Sequence, residues 1–352
     1  MRRVNSDIHL VGSVPLDSAQ QVFETCAQAL GPHLGTMPDG EIGHRIHWIV
    51  CQALYVFLDH PALALVHRPA PVDGKEQWLP KGPSDQWNFK IRPGVGTIAF
   101  DDLRYASWAS ESYEVFKSLR ARGIIPAGTR FQVCLPTPLA GFQGFFNAED
   151  GARIRAPYEA AMLREVEKIC AAIPHEDLAL QWDVAVETGA IERGQPAKIG
   201  GDAFAIFSDE TRKIGPAVPR NVLLGYHICY GDFGHRHSVE PTDLSVSVRM
   251  LNEAAANAGR PLDFVHVAVP IARSDDAYFA PLRDLKVGDA RVFLGIVHYD
   301  DGVEGTLARL RTAKKHLSDF GIATECGFGR RRPETLPALL RIHRQVAEQL
   351  HR

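Results

Sequence analysis

The sequence predicts an α/β protein built as a single (β/α)8 TIM barrel. Short apolar runs alternate with longer amphipathic patterns along the 352 residues, which is typical of repeated strand–helix units around a parallel sheet. Eight of these runs have the length of a strand, the number that closes such a barrel. No Gly-x-Gly-x-x-Gly or Walker-type segment follows the first run. Nothing therefore marks the nucleotide-binding crevice of an open sheet.

The predicted strands are apolar runs that end next to glycine, proline or polar residues. In chain order they are Ile8–Ser13, Leu34–Met37, Arg130–Leu135, Leu178–Val184, Val222–Cys229, Asp263–Val269, Arg291–Val297 and Gly321–Cys326. The predicted helices carry an apolar stripe with a period near 3.6 residues. They include Ser18–Leu30, Pro157–Ala172, Leu244–Ala258, Gly302–Phe320 and Glu334–Gln349.

Residues 56–128 have the least regular pattern and are predicted to form an irregular insertion between early strands. Three tryptophans and several prolines and glycines fall in this stretch. Two interpretations are open, a cover over one end of the barrel or plain surface elaboration. With this insertion included, residues 1–352 are predicted to form one catalytic domain.

The composition excludes several classes of protein. Apolar residues make up 45% of the chain, charged residues 23%, and the formal net charge is −3, so no electrostatic footprint for nucleic acid or anionic lipid exists. The first seven residues become polar before the apolar core of a signal peptide could form. No apolar stretch approaches the roughly 18–20 residues of a membrane-spanning helix. We therefore expect a cytoplasmic protein without nucleic-acid or membrane partners, and the oligomeric state stays open.

The six cysteines fall into two groups. Four lie within helical patterns or apolar runs and are expected to be small buried hydrophobes: Cys26, Cys51, Cys134 and Cys170. Cys229 and Cys326 instead follow strand-like runs beside glycine and polar residues, and His227 lies two positions before Cys229. Two-residue spacing on a strand places both side chains on one face.

His227, Cys229 and Cys326 are candidate zinc ligands. An imidazole with two thiolates is a ligand set that suits Zn²⁺. Three protein ligands with an open fourth position are typical of a catalytic zinc site. The alternative is a buried histidine with inert thiols at the end of a barrel strand.

The chain resembles the catalytic C-terminal barrel of cobalamin-independent methionine synthase, within the superfamily that also contains uroporphyrinogen decarboxylase-like barrels. The resemblance covers nearly the whole chain, because the matching segments occur in the family's order. These segments are His9-Leu10-Val11-Gly12-Ser13-Val14-Pro15, Asp39-Gly40-Glu41, Gln181-Trp182-Asp183, His227-Ile228-Cys229-Tyr230 and Glu325-Cys326-Gly327.

The resemblance implies a function and several site residues. It implies a zinc-dependent alkyl (methyl) transferase that binds zinc through the three candidate ligands and activates a thiol substrate as a zinc-bound thiolate. Glu41 and Asp183 match positions that hold the substrate's amino group, and Ser13 matches a position that holds its carboxylate. Arg330, directly after the last candidate ligand, is either a further contact for a substrate carboxylate or phosphate or the start of the final helix.

The chain departs from the family in two strands. Ala268 stands where the family has a further zinc-ligand glutamate, and His266 lies two residues earlier on the same strand face. Asp300 is the nearest positional match to a proton-handling histidine of the family, with His298 shifted by two. We expect His266, His298 and Asp300 to move protons, and His266 is also a candidate fourth ligand or a hydrogen-bonded core histidine.

These patterns favour an enzyme that transfers an alkyl group from a small-molecule donor to a small-molecule thiol. Two other functions stay open at this point. A zinc-dependent lyase, hydrolase or ether-cleaving enzyme would use the same metal on an oxygen atom. A metal-free decarboxylase-like or binding barrel would use none.

Overall fold

The computed structural model describes residues 4, 6–75, 78–82, 85–231 and 236–350. Its main sheet is a curled, seven-stranded parallel sheet. Nine strands occur in the described residues: β1 Thr36–Pro38, β2 Leu63–His67, β3 Asn88–Ile91, β4 Arg130–Pro136, β5 Leu178–Val184, β6 Leu223–Ile228, β7 Phe264–Ala268, β8 Arg291–Val297 and β9 Gly321–Thr324. The sheet order is β1-β4-β5-β6-β7-β8-β9, while β2 and β3 form a separate antiparallel pair. The α/β class and seven of the eight predicted strands are therefore confirmed.

The first predicted strand, Ile8–Ser13, does not form a ladder. Within it, Ile8 makes single parallel bridges to Leu34 on one side and to Ile322 on the other. Beyond this point side chains take over as donors to the backbone carbonyls: Gln132 Nε2 donates to Leu10 O over 2.9 Å. Because side chains occupy these carbonyls, the run Ile8–Ser13 forms β-bridges to its neighbours only at Ile8. An eight-stranded ladder is not formed by the described part of the chain.

Helices follow most strands of the main sheet. Eleven occur in the described residues: α1 Ala19–Leu30, α2 Val50–Gln52, α3 Tyr105–Ala121, α4 Pro138–Gln143, α5 Ala148–Ala172, α6 Val186–Glu192, α7 Ala203–Ile214, α8 Ser245–Asn257, α9 Asp276–Phe279, α10 Gly302–Ala313 and α11 Leu336–Ala347. None of them, over the residues described, combines the length and hydrophobicity that a membrane span requires.

Two predicted helix boundaries are wrong. Helix α5 starts before Pro157 because the Asn147 side chain accepts from Asp150 N and caps an earlier start. Helix α10 ends at Ala313 instead of Phe320.

The segment 56–128 is more regular than its sequence predicts. It contains the β2–β3 pair and the 17-residue helix α3, which packs against α1, α5 and β4. Helix α3 thus covers the sheet between its first two strands, and the prediction of irregular structure is wrong there. Residues 76–77 and 83–84 of this segment lie outside the described residues. The buried ring of Phe57 contacts Phe89 of β3 and also Phe145, which follows α4. These contacts pack the segment against the chain that leaves the carboxyl end of β4.

The strand register places polar residues of three neighbouring strands side by side. Asp183 on β5 pairs with His227 on β6, which pairs with His266 on β7. Nearer the amino ends of the strands, Phe264 on β7 and Phe293 on β8 belong to a separate apolar cluster. The interior is therefore apolar towards the amino ends of the strands and polar towards their carboxyl ends, where parallel barrels carry their sites.

Candidate metal centre

Three side chains converge at the carboxyl ends of β6 and β9. One ligand atom from each of His227, Cys229 and Cys326 lies within 4.8 Å of the others, and all three residues are buried. Cys229 follows β6 directly, and its amide donates to Val184 O at 2.9 Å, which fixes the turn. Cys326 follows β9, where the Thr324 hydroxyl donates to the carbonyl of Cys326 over 2.6 Å. These three residues could hold a metal ion.

The hydrogen bonds of His266 fix the tautomer of His227. His266 Nε2 lies 3.0 Å from Thr324 O, and a carbonyl only accepts, so this nitrogen carries a proton. Burial lowers the pKa of His266 well below its ordinary value, with His227 and His9 adding to the effect, so the ring is neutral. Its Nδ1 must then accept from His227 Nδ1, 2.6 Å away. This leaves the Nε2 lone pair of His227 for a metal.

We expect His266→Ala to weaken metal binding about 10–100-fold, the usual cost of losing a group that orients a metal-binding histidine. Competition with a chromophoric chelator would measure the affinity. His266→Gln is the matched control, because its amide oxygen can still accept from His227 and should recover part of the loss. Unchanged affinity in His266→Ala would contradict the orienting role.

The environment of Cys326 favours the thiolate. A hydrogen bond from Cys229 is the main reason that its pKa lies well below the ordinary value, and the Arg330 guanidinium contributes further. The Arg330 guanidinium donates to Cys326 Sγ over 3.2 Å. A thiolate is the form that binds metal, so the protein prepares this sulfur for coordination.

Two carboxyl groups face the same small cavity as the candidate ligands. The cavity, of about 50 Å³, is lined by Glu41, Asp183, Ser13 and Arg330 together with the ligand residues. Burial raises the pKa of Glu41 to about 8. Burial and the neighbouring Glu41 raise the pKa of Asp183 well above its usual range. Two such groups facing one space would both ionise if a cation lay between them.

A chain of buried hydrogen bonds from His9 and Gln181 orients the carboxyl group of Asp183. Gln181 Nε2 donates to Asp183 Oδ1 over 2.8 Å, and Gln181 Oε1 accepts from His9 Nε2 at 2.7 Å. Burial lowers the pKa of His9 to about 3, so this ring is neutral and donates through Nε2. The inner layer of polar side chains therefore orients the carboxylate above it.

Ser13 and the chain after Cys326 pack together. Ser13 Oγ accepts from Gly329 N at 3.3 Å, and Phe328 N donates to Ser13 O at 2.7 Å. A Cβ added at Gly327 would lie 2.3 Å from Ser13 Oγ and 2.8 Å from its backbone nitrogen. Glycine is thus required at this position for Ser13 to reach the wall of the cavity.

A much larger cleft lies next to the small cavity. Its volume is about 710 Å³, and Trp48, Ala185 and Arg330 line both spaces. Residues between β1 and α3, including Leu79 and Asn88, form one wall of the cleft. That the segment 56–128 covers one end of a barrel stays a prediction.

Comparison with known structures finds the same fold in two solved proteins. One is assigned as a vitamin-B12-independent methionine synthase from Listeria monocytogenes; it is 13% identical, with a TM-score of 0.61 and 99% of both chains covered. The other is a B12-independent methionine synthase from Shewanella sp. W3-18-1 in complex with selenomethionine; it is 12% identical, with a TM-score of 0.59 and 99% of this chain and 98% of that chain covered. The chain has a methionine synthase-like fold. No protein-family model matches the sequence, and no curated protein matches it.

On this methionine synthase-like fold, the structure brings together seven of the predicted site residues. The candidate ligands, Ser13, Glu41, Asp183 and Arg330 all line one cavity. His266, His298 and Asp300 do not line it. His266 lies one layer below, beside His227, because the two residues are paired in the strand register. Asp300 is exposed in the turn after β8.

His298 is turned away from the cavity by a buried ion pair. Its Nδ1 lies 2.8 Å from Glu325 Oε2, and its Nε2 donates to Val269 O at 2.9 Å. Arg331 donates to Glu325 over 2.6 Å from the other side. His298 and Arg331 hold the pKa of Glu325 below its usual range despite burial. This network adjoins the candidate metal centre, because Glu325 directly precedes Cys326. Trp48 also lines the cavity, and no sequence pattern indicated it.

Proposed function

We propose that the protein is a zinc-dependent alkyltransferase that uses a thiol acceptor. In this proposal residues 1–352 form one catalytic barrel, and the bridges of Ile8 to Leu34 and Ile322 close it in place of an eighth strand. The convergence of His227, Cys229 and Cys326 within 4.8 Å carries this proposal. One nitrogen and two sulfur donors suit Zn²⁺ better than oxygen-preferring cations. The methionine synthase-like fold supports transfer to sulfur over other uses of the metal.

The residues present fit a zinc ion that keeps one position open. The tautomer of His227 supplies a free Nε2, and Cys326 lies in surroundings that favour its thiolate. Among the described residues, the three form the sole such group of potential ligands, and Ala268 offers no donor where the resemblance implies glutamate. Bound zinc would lower the pKa of a substrate thiol and so supply a nucleophile at neutral pH.

The remaining cavity residues would bind and orient the acceptor. Glu41 and Asp183 face the same space, and an ammonium group between them would relieve the cost of burying two carboxylates. Arg330 and the Ser13 hydroxyl line the same cavity and are suited to a carboxylate. The acceptor that fits this arrangement is a small amino acid with a side-chain thiol. The adjoining cleft is large enough for the alkyl donor.

We assign His266 to positioning His227, since both of its ring nitrogens are engaged there. His298 would stabilise the segment that carries Cys326 through its ion pair with Glu325. Neither histidine has a free nitrogen at the cavity wall, so proton transfer would use Glu41 or Asp183, which line it.

Zinc-edge X-ray absorption on the zinc-loaded protein tests the proposed function. L-Homocysteine, an amino acid with a side-chain thiol, should add one Zn–S scattering path to the two from Cys229 and Cys326. 4-Mercaptobutyrate, which lacks the amino group, should add it only at higher concentration. An unchanged zinc environment at saturating thiol would overturn the alkyltransferase proposal and favour a metal-dependent lyase or hydrolase, whereas absence of bound zinc would overturn both.

A further inference from the structure

The indole of Trp48 separates the small cavity from the large cleft. It packs against the buried cluster of Ala185, Cys229 and Cys326, and it lines both spaces. Of the three residues that line both, Ala185 is small and Arg330 is held towards Cys326 by a hydrogen bond. The cleft is more than ten times larger than the cavity, about 710 Å³ against about 50 Å³. Trp48 is therefore the largest barrier on the route from the cleft to the sulfur ligands.

The backbone of Trp48 is strained. Its φ is 55° and its ψ is −119°, a conformation that is an outlier for a bulky residue and is otherwise occupied by glycine. Among the described residues four non-glycine positions have positive φ, and two of them, Glu41 and Trp48, line the metal cavity. Strain of this kind persists where the surrounding structure needs the side chain in a particular place, and it concentrates at ligand clamps and switches.

Trp48 lies between two helical segments and belongs to neither. A 3-10 turn at Gly43–His47 precedes it, the short α2 follows, and a π-helix runs over Ala53–Phe57. Segments of π-helix inside helices are frequent at functional sites. Within the described residues, the indole Nε1–H is also buried without a hydrogen-bond partner, so the observed position leaves a donor unsatisfied. Both features favour a second position of the indole.

We propose that Trp48 is a gate between the cleft and the metal cavity. In the closed position its indole covers Cys229 and Cys326, and displacement of the indole opens the cavity to a ligand that arrives through the cleft. The open position lets Nε1–H meet water or a polar atom of that ligand. The inference rests on the proposed function for the nature of the ligand, a small thiol, whereas the barrier itself is a property of the chain.

Thiol alkylation of the metal-free protein tests the gate. Iodoacetamide labelling of each cysteine would be followed by peptide mass spectrometry in the unchanged chain and in Trp48→Ala and Trp48→Phe. We expect Trp48→Ala to label Cys229 and Cys326 at least about tenfold faster, and Trp48→Phe to stay within about threefold of the unchanged chain. Cys170, which lies on α5, should label at the same rate in all three proteins and reports any general loosening of the fold.

Trp48→Gly keeps the test decisive if Trp48→Ala fails to fold, because glycine adopts a φ of 55° without strain. Equal labelling rates of Cys229 and Cys326 in Trp48→Gly and in the unchanged chain would overturn the gate. So would labelling of these two cysteines in the folded unchanged chain at the rate seen in urea, because no barrier would then exist. Zinc content, measured on separate zinc-loaded samples, reports on the proposed function alone. A chain that binds no zinc but shows the labelling difference would retain the gate and lose the alkyltransferase.

Discussion

Cys326→Ser is expected to lower bound zinc from about one ion to less than about 0.1 per chain after dialysis. Serine replaces a sulfur whose surroundings favour an anion, and a hydroxyl is a poor zinc ligand at neutral pH. Since His227 and Cys229 alone leave two positions open, the remaining pair should not retain the ion. Elemental analysis of the purified protein would measure the change. We also expect chelation to lower the melting temperature of the unchanged chain and not that of Cys326→Ser, because a ligand bound only by the folded state stabilises it.

Cys134→Ser is the matched control. Its sulfur lies near the same cavity, 3.5 Å from the position of a Cβ at Gly12, but it does not belong to the group of candidate ligands. The control should retain about one zinc ion. Full zinc content in Cys326→Ser, or equal loss in both variants, would contradict the assignment of the ligands.

The sequence predicts the sheet well because buried parallel strands are apolar on both faces. Leu178–Val184 and Arg291–Val297 match their predicted ranges, since each run is bounded by breaks in hydrophobicity. Ile8–Ser13 has a similar apolar pattern, but side chains of β4 and β5 donate hydrogen bonds to its backbone carbonyls in place of a neighbouring strand. Helix α3 is not among the predicted helices because it lies within residues 56–128, where prolines, glycines and tryptophans indicate irregular structure. Hydrogen bonds from distant residues and packing of mixed faces are tertiary effects that local patterns do not contain.

The candidate site divides in the same way. Ligand spacing and a family resemblance were sufficient to predict His227, Cys229 and Cys326, because these residues follow strands and their chemistry is specific. The orientation of ring nitrogens was not predictable. From the sequence alone, His266 could be a ligand, a base or a core residue. Its role depends on a hydrogen bond to the backbone carbonyl of Thr324, which lies 58 positions further along the chain. Trp48 carried no signal at all, since a positive φ in a tryptophan follows from its surroundings.

Asp183→Asn is expected to weaken binding of L-homocysteine to the zinc-loaded protein about a hundredfold or more. Asparagine cannot supply the charge that faces an ammonium group in this buried cavity, and breaking a buried ion pair costs about 3–5 kcal/mol. Isothermal calorimetry would measure the dissociation constant. The comparison ligand is 4-mercaptobutyrate, which lacks the amino group and should bind both forms equally. If Asp183→Asn weakens both ligands to the same extent, the carboxylate does not contact the amino group.

The pH dependence of the same binding separates Glu41 from Asp183. With a pKa of about 8, Glu41 is largely protonated at pH 6.5 and must lose its proton to pair with an ammonium group. The affinity for L-homocysteine relative to that for 4-mercaptobutyrate, which releases the same thiol proton when it binds zinc, should therefore rise as the pH increases from 6.5. This ratio should level off above about 8 and rise by at most tenfold per pH unit for one proton released. Glu41→Gln has no proton to lose, so it should bind weakly and lose that part of the dependence. A steep rise of this ratio that persists in Glu41→Gln would place the titrating group elsewhere, with Asp183 as the remaining carboxyl of the cavity.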